Sequence, residues 1–500
     1  MATAGIALVT ILRTTGTVDS DVAWQLWIAH RMHAGAKLYR DIIEVNPPLW
    51  FWMALPVDSL ATALQLRVES VAVATMGGLS ALSLGATAQL IEGRPAQRGL
   101  LLAYAGLMFM ATPWMHVGQR EQIVLIGTLP YAALTAARRS GAQLSPSLAG
   151  GIGIAAALGF ALKPYFLLVP VVLELWLLVS QGKAWRPLRA ETVALVAVGL
   201  LYAVAVFVFA DEYLTRALPL VRLAYGVTGA PFISALLSPM LLAAAAAAGL
   251  AATRPRFFRA DAPGLPAALL MASLGFGIAY FIQSKGWTYH AIPMVGCACL
   301  ALAAVLTGGE TVPRLTRLTA PAVLCLPLVF AIVEARAERA PGEDLIEAVD
   351  GMHAGDSVGF IATDPAFAWS IALQRRVDYP SRYMGFWMMR AVVANELRGG
   401  PDQRLSALGR QVVAETVADF RCLPPRRIVI ARPRPGEDGF DILPFFLRDR
   451  RFAELLSHYR ARSRTTVETY ELVSPLAPPA AACRRSREEP VNLFLKSFQT

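Results

Sequence analysis

The sequence predicts a mainly α, polytopic membrane protein of about eleven transmembrane helices with a small C-terminal extracytoplasmic α/β domain. Three observations predict it. Of 500 residues, 55% are hydrophobic and only 16% charged, and the mean hydropathy of +0.48 lies outside the usual balance of a soluble globular chain. Apolar runs long enough or nearly long enough to span follow one another through short loops. After Ala335 the pattern changes, with charges becoming frequent and apolar residues falling into short strand-like or amphipathic segments.

In chain order, residues 2–12 lack a basic leader and a cleavage site, so they read as the end of a first membrane helix. That run is short against the roughly 20 residues needed to span, which points to an upstream start. Spanning runs follow at 68–91, 99–115, 121–137, 192–210, 231–252, 264–282, 291–307 and 318–335. The run 148–179 is longer than one helix needs and is interrupted by Lys163-Pro164. Proline removes a helix donor and lysine resists hydrocarbon, so two short helices are expected there.

The formal net charge of +10 does not read as a nucleic-acid footprint, because the basic residues lie in short clusters between apolar runs. One set of alternate loops holds Arg94, Arg98, Arg138, Arg139, Lys183, Arg186, Arg189, Arg254, Arg256, Arg259, Arg314 and Arg317. The other short loops hold Arg120, Lys163, Arg216, Arg222 and Lys285. Positive charge accumulates on cytoplasmic loops, so the first set is inside. The frame holds only if 148–179 crosses twice, which supports the split at Lys163-Pro164 independently. The N-terminus is then cytoplasmic and the C-terminal domain extracytoplasmic.

The expected domains are a transmembrane domain at 1–335 with a first outer loop at about 14–67, an α/β domain at 336–475, and an irregular tail at 476–500. Within the α/β domain, strands are expected at 357–362, 427–431 and 465–473, with helical patterns near 365–374, 401–420 and 445–459. Cys297, Cys299 and Cys325 fall in apolar stretches and read as small core residues. Cys422 and Cys483 would share an oxidising compartment, where a bridge between them is open.

Polar residues gather on the inferred outer side. The first loop contributes Asp19, Asp21, Glu44 and Asn46, followed by His116, Gln119, Arg120 and Glu121 in HVGQRE. Lys163 stands at the tip of the split helices, Asp211 and Glu212 open another loop, and QSKGWTYH supplies Gln283, Lys285, Trp287, Tyr289 and His290. Polar groups near membrane depth are costly, which makes them functional candidates. In the first loop, Trp24, Trp27, Ile28 and Met32 recur at helical spacing, as expected of an amphipathic helix lying at the headgroup level. Gly35 would end that helix, and Pro47-Pro48 would start a second segment too short to span.

The acid at Asp21, the aromatic helix after it and the stretch GAKLYRDIIEVNPPL resemble membrane glycosyltransferases of the GT-C superfamily. The resemblance is closest to the bacterial branch that includes protein-mannosyltransferase-like and lipopolysaccharide-core galacturonosyltransferase-like enzymes. It covers the layout of the whole chain, with its specificity in the first loop, and HVGQRE and KGWTYH look like later outer motifs of that branch. It implies inverting transfer of a sugar from a polyprenyl-phosphate donor to a hydroxyl of an envelope glycan, lipid or protein, without a nucleotide-sugar site. It also implies that a first-loop aspartate is the general base. Asp21 best matches that position, and Asp19 is its rival. Chemistry agrees that one carboxylate is needed, because the attacking hydroxyl loses a proton while the leaving phosphate needs none. Arg120, Lys163 and Lys285 are candidates to neutralise the departing phosphate. Glu44, Asn46, Trp287, Tyr289 and His290 are further candidates to border sugar or acceptor, and a divalent metal at Asp19 and Asp21 is left open.

Plainer roles exist for each. Asp19, Ser20 and Asp21 are helix-capping types, Glu44 suits a solvated loop and Asn46 a turn. Arg120 and Glu121 could pair with neighbours, while lysines snorkel and interfacial aromatics form belts. His30 and His33 read as helix-surface residues, Asp211 and Glu212 as solvated, and His116 has no metal-ligand partner in sequence. Two rival functions use the same features. A transporter or flippase of lipid-linked glycans would need rare membrane charges and broken helices, although repeated halves are not evident. An inactive glycan-binding scaffold would differ only in lacking turnover.

Overall fold

The computed structural model describes residues 10–11, 18–229, 231–253, 264–308, 312–337, 343–364, 369–432, 441–464, 467–476 and 483. Most of the expected first membrane segment, Arg254, Arg256 and Arg259, residues 365–368 and nearly all of the tail lie outside them. The chain forms two units. One comprises Met1–Val18, Pro56–Ala205 and Gly229–Ala337, and the other Asp19–Leu55, Val206–Thr228 and Glu338–Thr500.

Among the described residues, six helices are long and apolar enough to cross a membrane: Val68–Ala88, Pro164–Ala184, Ala190–Phe209, Gly264–Gln283, Thr288–Thr307 and Arg314–Arg336. Shorter apolar helices run over Leu49–Leu64, Pro146–Phe160 and Pro239–Ala252. The chain is an integral membrane protein. Exposure grades these helices by their place in the first unit. Ile292–Thr307 is buried from Ile292 to Val305, whereas Ala190–Phe209 turns Leu200, Leu201 and Val204 outward. A helix that is apolar on its exposed side is stable where lipid covers that side.

Lipid offers no hydrophobic drive between helices, so close packing through small residues must replace it. A Cβ at Gly153 would stand 2.6 Å from the Glu191 carbonyl oxygen, and one at Gly275 would stand 2.9 Å from Val169 Cα. Neither backbone could stay in place around a side chain there. The interruption expected at Lys163-Pro164 is present. The Pro146–Phe160 helix ends, Lys163 is extended at φ −143° and ψ 136°, and a 3-10 turn at Pro164–Leu167 leads into Leu168–Gln181.

Two arginines of the more basic loop set are paired in this unit. Arg138 grips Glu191 bidentately at 2.9 and 3.0 Å. Arg189 reaches Glu191 at 2.8 Å and also pairs with Glu174.

The second unit contains a four-stranded sheet of order β1-β2-β4-β3, with β1 at Val358–Ile361, β2 at Arg427–Ala431, β3 at Tyr459–Arg464 and β4 at Val467–Leu472. β1 and β2 are parallel, while β4 pairs antiparallel with both β2 and β3. The Gln403–Cys422 helix buries Leu405, Leu408, Val412, Val413, Val417 and Phe420, a stripe at three- and four-residue spacing. Those side chains share one apolar core with Ile361, Ile428 and Ile430 of the sheet. Gly359 makes the fit close, since a Cβ there would fall 2.5 Å from the Phe420 ring. Cys422, at the end of that helix, is bridged to Cys483, with Cα atoms 5.2 Å apart.

Strand β3 is missing from the sequence expectation because YRARSR reads as a polar run. As the edge of the sheet it carries Arg460 and Arg462, and charges on an edge discourage pairing with another chain. The helical pattern expected at 445–459 resolves into two short helices, Ile442–Leu447 and Arg450–Leu456, before β3 begins. The Asp19–Leu55 stretch of the first loop belongs to this unit. Ile43 donates its N–H to the Arg382 carbonyl at 2.8 Å, and the Ser20–His33 helix packs on the Trp369–Arg375 helix.

Candidate active site

The second unit holds Asp19, Asp21 and Glu44 of the first loop. Asp19 is the N-cap of the Ser20–His33 helix, its Oδ1 accepting the Asp21 N–H at 2.7 Å. Asp21 stands in the first turn, half-buried, at the end where the helix dipole favours a negative charge. The capping role raised for Asp19 is therefore its observed one.

Glu44 is buried, and both of its oxygens are engaged. Oε2 accepts the Trp24 indole N–H at 2.5 Å. Oε1 accepts the Val45 N–H at 2.7 Å, the Asn46 N–H at 2.9 Å and the Asn46 side-chain amide at 2.8 Å. Gln25 donates to the Trp50 carbonyl at 2.6 Å, and Tyr39 donates to the Asn46 carbonyl. These bonds tie the loop back to the start of the helix and so fix where Asp21 stands.

The aromatics expected at the headgroup level are instead in a protein core. Trp24 is 1% exposed and Trp27 8%, stacked on each other with centroids 4.8 Å apart. Trp369 packs against both at 4.4 and 5.2 Å, and Tyr379 meets Trp369 edge-on at 4.8 Å. The apolar face read from the spacing is real, but protein covers it. His30 and His33 are exposed, as expected of surface positions.

The first unit brings three separate motifs together. Lys163 Nζ lies 2.5 Å from Glu121 Oε1, 3.0 Å from Gln283 Oε1 and 3.1 Å from His290 Nε2. An ammonium has three hydrogens, and three acceptors surround this one. The Gln283 amide is oriented by donating to the Ala279 carbonyl at 3.2 Å. Glu121 is fully buried and is the partner that neutralises Lys163, so the lysine organises this cluster instead of standing free for a phosphate.

Aromatic rings surround His290, with Tyr289 at 4.6 Å and Trp287 at 5.2 Å, and Trp287 stacks on Tyr289 at 5.8 Å. His116 lies 5.2 Å from Tyr289, and its Nε2 is 3.2 Å from Glu334 Oε1. Arg120, buried at the start of the Arg120–Arg139 helix, and Lys285 both lie within electrostatic reach of His290. Burial pushes the Lys285 ammonium down to about 8. That follows from removing a charge from water.

Sequence reasoning singled out Lys163 and His290, gave Glu121 only the plain role of pairing with a neighbour and Gln283 none, and missed Glu334 altogether. A carboxylate near the end of the apolar run 318–335 was the available signal for Glu334. Trp369 and Tyr379 were also missed, since nothing local marks a tryptophan 345 positions after Trp24 as its neighbour. Among the described residues no group of three or more His, Cys, Asp or Glu side chains could hold a metal ion.

No family model and no curated protein matches the chain. Solved structures do. ArnT from Cupriavidus metallidurans bound to undecaprenyl phosphate matches with a TM-score of 0.53 at 14% identity, covering 95% of this chain and 98% of that one. ArnT from the same organism in the apo state matches with a TM-score of 0.55 at 14% identity over the same shares. The match spans both units, so the chain shares the fold of that protein over nearly its whole length. That bears out the fold implied by the first-loop resemblance.

Proposed function

We propose that the chain is an inverting glycosyltransferase that moves a sugar from a polyprenyl-phosphate donor to a hydroxyl of an envelope glycan, lipid or protein. The observation that carries this reading is fold likeness over nearly the whole chain to a protein solved with undecaprenyl phosphate, in a chain whose first loop presents a half-buried acid at a helix start. We place the reaction on the outer face of the inner membrane, with about eleven helices, a cytoplasmic N-terminus and a periplasmic C-terminal domain, from the distribution of arginine and lysine.

In this reading Asp21 is the general base. Its carboxylate takes the proton of the acceptor hydroxyl as the oxygen attacks the anomeric carbon, the bond from that carbon to the phosphate oxygen breaks, and polyprenyl phosphate departs with the electron pair. The new bond forms on the face opposite the leaving group, so configuration inverts. Asp19 positions the helix start through its cap, and Glu44 with Asn46 holds the loop. Arg120 and Lys285 meet the charge of the phosphate, a role suited to donors held in a low-dielectric site. Trp287, Tyr289 and His290 border the sugar, on elements that Lys163 ties together.

The test is transfer by the purified protein in lipid, supplied with a panel of undecaprenyl-phosphate sugars and envelope acceptors. Formation of a glycosylated acceptor with inverted anomeric configuration supports the reading. Movement of lipid or solute without any product would instead identify a transporter.

A further inference from the structure

Within the buried cluster of the first unit, two polar atoms have no hydrogen-bond partner among the described residues. They are Oε2 of Glu121 and Nδ1 of His290, on side chains 0% and 3% exposed. The rest of the cluster fixes what each can do. Lys163 donates to His290 Nε2, so that nitrogen is an acceptor and the neutral ring carries its hydrogen on Nδ1. Glu121 Oε1 is already held by the ammonium, and its Oε2 remains a pure acceptor. The cluster therefore combines a matched charge pair with one unused donor and one unused acceptor. Leaving either buried and unpaired is unfavourable.

We propose that these two atoms bind a ring hydroxyl of the sugar carried by the lipid donor, and that this contact separates a sugar-bearing donor from the bare lipid phosphate. The inference rests on the transferase reading. A hydroxyl accepts one hydrogen bond while donating another, which matches a histidine N–H and a carboxylate oxygen. A phosphate oxygen only accepts, and the Glu121 carboxylate would repel it. Trp287 and Tyr289, stacked beside His290, supply apolar faces against which the C–H surface of a sugar ring can lie. The phosphate is then left to the cations outside the Glu121–Lys163 pair.

The test compares affinities of the full-length protein in lipid for undecaprenyl phosphate and for the undecaprenyl-phosphate hexose that serves in transfer. Two variants divide the histidine's functions. His290→Asn keeps an N–H donor near the place of Nδ1, while His290→Gln keeps an acceptor near the place of Nε2. Wild type is expected to bind the sugar-bearing lipid more tightly than the bare one. His290→Gln should lose roughly tenfold of the affinity for the sugar-bearing lipid and leave that for undecaprenyl phosphate unchanged. His290→Asn should retain most of the sugar-dependent gain. Equal behaviour of the two variants, or equal weakening toward both lipids, would overturn the assignment. Wild type binding both lipids equally would overturn it too, whereas wild type binding neither would defeat the transferase reading itself.

Discussion

At the residue scale, the two first-loop acids separate by geometry. Asp19 spends an oxygen on the Asp21 N–H, the ordinary work of an N-cap, and its loss should cost about 1 kcal/mol of stability. Asp19→Ala is therefore expected to lower the melting temperature, and Asp19→Asn, which keeps an accepting oxygen, should restore most of it. Both acids were legible in the sequence, but their division of labour was not. Spacing alone gives Asp-Ser-Asp, and only the backbone angles of Asp19, φ −54° and ψ 150°, make it the flanking cap.

Lys285 leads to a pH dependence. Its ammonium titrates at about 8, so the charge is present below that value and is lost as pH rises through it. If this charge receives the donor phosphate, kcat/KM for the donor should fall above about pH 8, because that ratio reports the free enzyme. Lys285→Arg should flatten the fall, since a guanidinium stays protonated. A profile that is flat in wild type from pH 7 to pH 10 would remove Lys285 from the phosphate.

At the scale of elements, the helix after Asp21 was readable as amphipathic, but the identity of what covers it was not. Periodicity says that a face is apolar and is silent on whether lipid or protein meets it. Here Trp369 supplies the cover from a segment far along the chain, with its indole N–H donated to the Met384 carbonyl at 2.7 Å. Trp369→Ala should destabilise the second unit by about 3–5 kcal/mol, as aromatic truncation in a core does. Limited proteolysis should then open the first loop and the C-terminal segment together. Cleavage confined to the C-terminal segment would show that the loop is held by something else.

The interruption at Lys163 was also legible, because proline and lysine together break an apolar helix for local reasons. Its partners were not. Glu121 and His290 lie 42 and 127 positions from Lys163, and only the packing of the helices brings them to it.

At the scale of the whole molecule, membrane character follows from composition, and the fold likeness extends over 95% of the chain. Orientation rests on basic residues in loops and is open to direct test. Single cysteines at Ser140 and Ser457, both exposed, can be placed in a chain whose Cys297, Cys299 and Cys325 are alanine and whose Cys422–Cys483 bridge is kept. In intact cells a membrane-impermeant maleimide should label position 457 and spare 140. The reverse pattern would invert the topology and move the C-terminal domain into the cytoplasm.

The most direct measurement separates binding from turnover in one protein. Wild type and Asp21→Asn, each in lipid, are given the same undecaprenyl-phosphate sugar, and both donor affinity and the rate of sugar transfer are recorded. The substitution keeps the shape of the side chain and removes the base. The expected result is a donor affinity within a few-fold of wild type and a rate lowered by roughly 10²- to 10⁴-fold. Transfer by Asp21→Asn at the wild-type rate would contradict the assignment of Asp21 as the base.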